Sequence, residues 1–310
     1  MRKQILRWLI LGGTLFFLIK AIKSHWQGIA SIRIDGVGWS ILVIATGVTL
    51  LAHICAGWVW TWVLQDLNQP INASEFIQVY LKTNIAKYLP GNVWHYYGRI
   101  MAAKNADIST GVATLSVLLE PLIMASAALI IALVGIQFLP ENNSIVLRIA
   151  ELLGLVGVFC VLHPRFLNLG IKKLQSLKLK KSPSTNTMNS VISLKQYPLR
   201  PLLGELSFLG LRNTGFILTL FALSPLSLSQ IPLLLAAFSF AWLLGLVVPG
   251  APGGLGVFEA TAIALLQNYF PSAAVIAAIA LYRLISIFAE TAGATFAWLD
   301  ERFCQSQRLS

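Results

Sequence analysis

Apolar runs of about twenty residues return along the whole chain, and this constrains the fold more than any other feature. A helix rises about 1.5 Å per residue, so about 20 apolar residues cross roughly 30 Å of hydrocarbon. Candidate spans are Ile5–Lys23, Trp39–Leu64, Val112–Leu139, Ile145–Leu162, Leu202–Leu223, Ile231–Val248, Val257–Phe270 and Ala273–Leu299. The seventh is short, a half-span or a tilted helix, so a count of about 8 spans depends on it. The expected fold class is all-α: a polytopic integral membrane helical bundle.

Composition agrees with that expectation. Hydrophobic residues make up 56% of the 310, and charged residues only 11%, where a soluble domain averages about 25%. Length alone would suggest two soluble domains. The recurring runs argue instead for a single transmembrane domain over 1–310. Its halves are 1–162 and 201–300, joined by a basic connector over 163–200 and followed by a short tail, 301–310. The basic, apolar N-terminus could be a signal peptide, but no small-x-small cleavage site follows its run, so an uncleaved first span is expected.

The net charge is +11. The cations cluster in short links between apolar runs, which points to membrane topology and an anionic lipid surface rather than to nucleic acid. Arg2, Lys3 and Arg7 precede the first span, and Lys82, Lys87, Arg99 and Lys104 follow the second. The link "PENNS" has no cation, the connector holds Arg165 to Arg200 with many lysines, and "SPLSLSQ" and "QNYFPS" are uncharged. The positive-inside rule then puts both termini and the connector on the cytoplasmic side of the cell membrane. Lys23 and Arg33 dissent, and can snorkel to the interface. The stretch "SLKLKKSPSTNTMNS" reads as a flexible connector or as a docking segment.

Cys55, Cys160 and Cys304 are scattered in or beside apolar runs, and His25, His53, His95 and His163 make no short-range pair. Neither a disulfide framework nor a metal site is expected, and no cofactor or nucleotide motif is visible.

Two interruptions stand at membrane depth. In "FIQVYLKTNIAKYLPGNVWHYYGR", a helix with Tyr80, Asn84 and Lys87 on one face is stopped by Pro90 and Gly91. Asn92 is a good N-cap for a new helix near Val93. In "LVVPGAPGGLGVFEA", Pro249, Gly250, Pro252, Gly253, Gly254 and Gly256 break apolar sequence. Such breaks are tolerated only where buried in protein or lining a wet cavity. A helix restarting near Gly254 would present free amides and a positive dipole end to a phosphate or carboxylate. Each break begins Pro-Gly and leads into an apolar helix, which reads either as an internal repeat with a transporter-type site or as two independent turns.

These two runs, "KYLPGNVWHYYGR" and "PGAPGGLGVFEA" about 150 residues later, resemble the transmembrane, flippase-type domain of lysylphosphatidylglycerol synthases. The resemblance covers roughly residues 5–300, and its most specific element is the pattern Pro252, Gly253, Gly254, Gly256, Glu259. The bifunctional members carry a soluble domain that transfers lysine from tRNA to phosphatidylglycerol. Here the sequence stops about a dozen residues after its last span, so the expectation is a stand-alone member without that activity. What the resemblance implies is lipid translocation or a related lipid-handling role.

Ionisable residues within spans are expensive and usually face a partner or a cavity. Glu120 lies in the third span, Glu259 closes the second break, and Arg283 and Glu290 lie seven residues apart on one face of the last helix. They read either as interior salt bridges, such as Arg283 with Glu259 or Glu290, or as a site that holds a lipid phosphate. Lys87 and Arg99 read as a cationic lip for an anionic headgroup, or as snorkelling cations. Trp94, Tyr96 and Tyr97 suit an interfacial aromatic belt. The expected substrate-contacting set is therefore Lys87, Asn92, Arg99, Glu120, Gly253, Gly254, Glu259, Arg283 and Glu290, with no catalytic residue.

Three functions follow. The first is a flippase for an anionic or aminoacylated phospholipid or a lipid-linked sugar, with membrane lipids as partners. The second is an accessory subunit that docks a glycosyltransferase or lipid-modifying enzyme through the connector. The third is a membrane enzyme with Glu120 and Glu259 as an acid pair, for which no nucleophile motif is present. Sequence does not fix the oligomeric state.

Overall fold

The computed structural model describes residues 20, 23–89, 93–138, 145–181, 194–248 and 252–309. Among the described residues the structure is helical, without strands. The α-helices in chain order are α1 (Trp26–Ser31), α2 (Gly36–Asp66), α3 (Ala73–Asn84), α4 (Trp94–Asn105), α5 (Thr110–Gln137) and α6 (Ile145–Val161). They continue with α7 (Pro164–Lys181), α8 (Leu199–Phe221), α9 (Ile231–Val247), α10 (Val257–Leu266) and α11 (Ser272–Leu309).

Local chemistry sets several boundaries. Asp35 caps α2 by accepting from the Gly38 amide at 2.7 Å, and Asn72 caps α3 through the Ser74 amide at 3.2 Å. Asn68 and Asp107, both at φ 59°, let the chain turn after α2 and α4 in the left-handed region that short polar side chains tolerate. Pro121 sits inside α5, one residue after Glu120.

α2, α5, α9 with its preceding turn, and α11 are long and apolar enough to cross a membrane; α6 and α7 make a further span if counted together across their 61° bend. α2, at 31 residues, is about 46 Å long. The bundle is greasy outside, and one stretch of its interior is built from small residues. Val43, Leu51, Leu118 and Phe288 are exposed, while Ala45, Thr49, Ala52 and Ala56 on α2 are fully buried. Apolar side chains can face outward because lipid tails leave no hydrophobic force to draw them inward, and small residues let α2 approach its neighbours closely.

Most sequence-derived spans map onto these helices, with differences. Ile5–Lys23 lies outside the described residues apart from Lys20 and Lys23. Leu202–Leu223 is helical as α8 but falls outside the strongly apolar group, because it carries Glu205 and Arg212, both turned into the bundle. Val257–Phe270 becomes the ten-residue α10, about 15 Å long and too short to cross alone. The first part of the connector, through Lys181, is helix α7 rather than loop; residues 182–193 lie outside the described residues. Beyond them, Leu194 is buried and tied to Asn168 by reciprocal bonds of 2.8 and 2.9 Å.

The interior holds two apolar clusters. One gathers around Trp60, Phe76, Leu119 and Phe208, the other around Phe216, Phe238, Ile263 and Tyr282, and Trp242 touches both. On α8, Leu209 belongs to the first cluster and Phe216 to the second, with Arg212 at the seam between them.

Candidate functional site

The two helix breaks meet. α3 tightens at its end into a 3₁₀ turn, Ile85–Tyr88, and this turn packs against a second 3₁₀ turn, Pro252–Gly254, ahead of α10. Gly253 adopts φ 58°, and a Cβ built there would lie 2.9 Å from the Tyr88 ring. Gly254, at φ 74°, sits against the Gly245 backbone of α9. Glycine is needed at both positions, for the backbone angle and for the close approach.

Pro90, Gly91, Asn92, Pro249 and Gly250 lie outside the described residues, as does the Pro252 side chain. α4 starts at Trp94, after Val93. Gly256, at φ 86°, is the N-cap of α10, so that helix begins a little later than Gly254. The Gly256 amide donates to Glu259 Oε2 at 2.6 Å. Of the phosphate or carboxylate expected at this helix start, the structure supplies a carboxylate from within the chain, that of Glu259 on the Gly256 amide.

Around this junction the charges form a chain. Lys87 Nζ lies 2.7 Å from Glu290 Oε1, which links the first break to α11. The same oxygen lies 3.2 Å from His53 Nε2 on α2, and Arg212 Nη1 approaches that nitrogen at 3.2 Å from α8. One imidazole tautomer donates from Nε2 to Glu290; the other lets Nε2 accept from Arg212. Arg283, two helical turns before Glu290, donates from Nε to Glu259 Oε1 at 2.7 Å and from Nη1 to the Gly253 carbonyl at 3.1 Å. Of the two sequence-derived pairings for Arg283, the structure makes the one with Glu259; Glu290 goes to Lys87.

A cavity of about 120 Å³ opens at this junction. A single water needs only about 10–15 Å³ on that scale, so the space suits several waters or a phosphate group. Its polar lining includes Lys87, Arg212, Arg283, His95, Ser286 and Glu290. Gly253, Gly254 and Tyr282 complete the wall, and Tyr282 donates to the Arg212 carbonyl at 2.9 Å. Counting Glu259 beside Arg283, three cations face two carboxylates. Among the described residues Arg212 has no carboxylate partner: it lies 5.2 Å from the Tyr282 ring, and its Nε makes no hydrogen bond.

Arg99 and Glu120 are elsewhere. Arg99 is 2% exposed, so it is no lip to the break; its Nη1 meets Glu120 Oε2 at 2.6 Å, with its guanidinium 3.6 Å from the Tyr80 ring centre. Apolar sequence around Glu120 needs an internal counter-charge, and Arg99 supplies it. Glu120 therefore pairs with Arg99 while Glu259 pairs with Arg283, and the two acids do not share a site. Trp94 and Tyr97 are exposed as a belt requires, whereas Tyr96 and His95 turn toward the cavity, their rings 3.8 Å apart.

Sequence reading missed His53, Glu205 and Arg212. A signal was present for two of them. Glu205 and Arg212 stand seven residues apart in an apolar span, the same spacing that singled out Arg283 and Glu290. His53 left no trace beyond being a lone polar residue in a span.

Among the described residues, no group of His, Cys, Asp and Glu side chains suited to a metal ion occurs. A family model described as lysylphosphatidylglycerol synthase TM region matches residues 4–293. No curated protein matches the chain.

Proposed function

The chain belongs to the family of the lysylphosphatidylglycerol synthase transmembrane region, and from that premise we propose that it moves a phosphate-bearing lipid across the cytoplasmic membrane through the cavity at the two breaks. The supporting observation is the cation excess there: Lys87, Arg212 and Arg283 against Glu259 and Glu290, in a space fit for a phosphate. Arginine suits this role because its planar fork matches two phosphate oxygens at once. An anionic phospholipid, an aminoacylated one and a lipid-linked sugar all bring such a phosphate. An entering headgroup meets Arg212 first as the cation without a carboxylate, then competes with Glu290 for Lys87. Release of Lys87 loosens the tie between the first break and α11, which is the movement alternating access requires of broken helices. Both termini and the basic connector face the cytoplasm in this reading.

Reconstitution into liposomes tests it. Fluorescent phosphatidylglycerol, its lysyl ester and a polyprenyl-phosphate sugar are placed in one leaflet and their appearance in the other is followed. Acceleration of at least one over protein-free vesicles, lost in Arg212→Gln, is the expected result. No acceleration for any of the three would remove the transport reading.

A further inference from the structure

His53 belongs to the charge chain at the two breaks, yet headgroup binding as described uses only its neighbours. The side chain is buried on α2, and its Nε2 faces two groups at the same distance. Glu290 Oε1 lies 3.2 Å away, and so does Arg212 Nη1. A guanidinium has no lone pair to offer, so in the contact with Arg212 the imidazole nitrogen must accept. Glu290 meanwhile has a donor in Lys87 Nζ at 2.7 Å. In this arrangement His53 is neutral, with its proton on Nδ1 and its Nε2 lone pair turned to Arg212.

α2 packs against α3, α5, α8 and α11. The charges that reach His53 are Arg212 from α8 and Glu290 from α11, with Lys87 of the first break sharing the Glu290 oxygen. The remaining titratable groups of these helices lie elsewhere. On α3, Lys82 pairs with Glu301, Glu75 is exposed in the first turn, and the Tyr80 ring lies against Trp60. On α5, Glu120 pairs with Arg99. On α8, Arg200 bonds to Gln65, and Glu205 stands two turns before Arg212. On α11, Arg283 pairs with Glu259, Tyr282 donates to the Arg212 carbonyl, Asp300 bonds to Gln78, and Arg302 stacks on Trp298. Cys55 of α2 itself points to the Gly204 carbonyl.

A phosphate headgroup in the cavity takes up both cations, Arg212 and Lys87, which line it together. Two groups are then left facing each other at 3.2 Å: Nε2 of His53 with a bare lone pair, and Glu290 Oε1 without its ammonium. A buried carboxylate that loses its partner is costly. A proton on Nε2 answers both needs, because an imidazolium donates from that nitrogen to the same oxygen. We propose that His53 takes up a proton from solution as a phosphate headgroup binds, so that headgroup and proton occupy the site together. This rests on the lipid reading and supplies its coupling ion. The proton adds to Nε2 while Nδ1 keeps its own, and no covalent bond to the lipid changes. A phosphodiester brings one negative charge and the proton one positive charge, so the loaded site carries the same net charge as before binding. Passage of the loaded site across the membrane then answers to a pH difference rather than to the membrane potential, which acts on net charge.

Isothermal titration calorimetry of the purified full-length protein with dihexanoyl phosphatidylglycerol tests this. Repeating it in two buffers of different ionisation heat reads binding and proton uptake in one experiment. Uptake approaching one proton per headgroup is expected near neutral pH. Affinity should rise as pH falls, toward about tenfold per pH unit where uptake is complete. His53→Gln still offers an acceptor to Arg212 and a donor to Glu290, but it cannot hold the added proton. It is expected to bind with no uptake and no pH slope. Glu290→Gln removes the carboxylate that calls for the proton and should lose the uptake as well, so the assignment stands even if His53→Gln does not fold. Binding by the wild-type protein without proton uptake overturns the proposal and leaves the lipid reading in place. Uptake that persists in His53→Gln puts the proton elsewhere, His95 of the same cavity being the next candidate, and also overturns it. Absence of any binding removes the lipid reading and this proposal with it.

Discussion

Lys87 Nζ lies 2.7 Å from Glu290 Oε1, joining residues 203 positions apart and tying the first helix break to the last helix. The Glu290 side chain is 2% exposed and that of Lys87 21%, so this pair sits largely out of water. Removing one partner of a buried pair strands the other. Lys87→Met is expected to lower unfolding stability in detergent by about 3 kcal/mol, the low end for buried pairs, given the partial exposure of Lys87. The double variant Lys87→Met/Glu290→Met removes both charges and is expected to recover most of that loss, as measured by thermal unfolding. A double variant as unstable as the two single losses added together would show that the pair itself does not carry the effect.

Arg212 is distinguished by what it lacks. Among the described residues it has no carboxylate, and its Nε is unbonded at the seam between the two apolar clusters. A phosphate would supply that partner. Hydrogen bonds to charged groups are worth about 1.5–3 kcal/mol, so Arg212→Gln should weaken phosphatidylglycerol binding roughly 10- to 150-fold. Phosphatidylglycerol displaced from nanodiscs of zwitterionic lipid gives the measurement. Unchanged affinity would move the headgroup contact to Lys87 and Arg283.

Gly253 tests whether the contact between the two breaks matters. Its φ of 58° disfavours any side chain, and a Cβ would lie 2.9 Å from the Tyr88 ring. Gly253→Ala is expected to cost roughly 1–2 kcal/mol from the backbone alone, with a further loss from displaced Tyr88. Adding Tyr88→Ala relieves the second part and not the first. Gly210→Ala on α8 is the control. It has open space and a helical backbone, so a gain of up to about 1 kcal/mol is expected. If Gly253→Ala behaves like the control in thermal unfolding, the turn does not hold Gly253 in the left-handed region against Tyr88.

The broad fold was legible because lipid forces a simple rule on sequence. Long apolar runs must be helices, and charges inside them must find partners. That rule picked out Glu120, Glu259, Arg283 and Glu290, and each has a partner in the structure. Pairing was not legible, because it depends on which helices touch. Arg99 looked like a surface cation beside a break, yet α4 carries it inward to Glu120. Glu205 and Arg212 carry the same signal, charges seven residues apart inside an apolar span, but the sequence does not show what each one faces. His53 could not be read at all, since its meaning arises only where α2, α8 and α11 converge.

Cysteine labelling checks the orientation of the chain in the membrane. The chain has three native cysteines, Cys55, Cys160 and Cys304, which are replaced by serine first. Lys172 on α7 is exposed and belongs to the basic connector, whereas Ser229, also exposed, belongs to the uncharged link after α8. α8 is 23 residues long, about 34 Å, enough to place the two links on opposite faces of the hydrocarbon. If cation bias sets the topology, Ser229→Cys reacts with a membrane-impermeant maleimide in intact cells. Lys172→Cys then reacts only in inverted vesicles. The reverse pattern would put the connector outside, and labelling of both from one side would show that α8 does not cross.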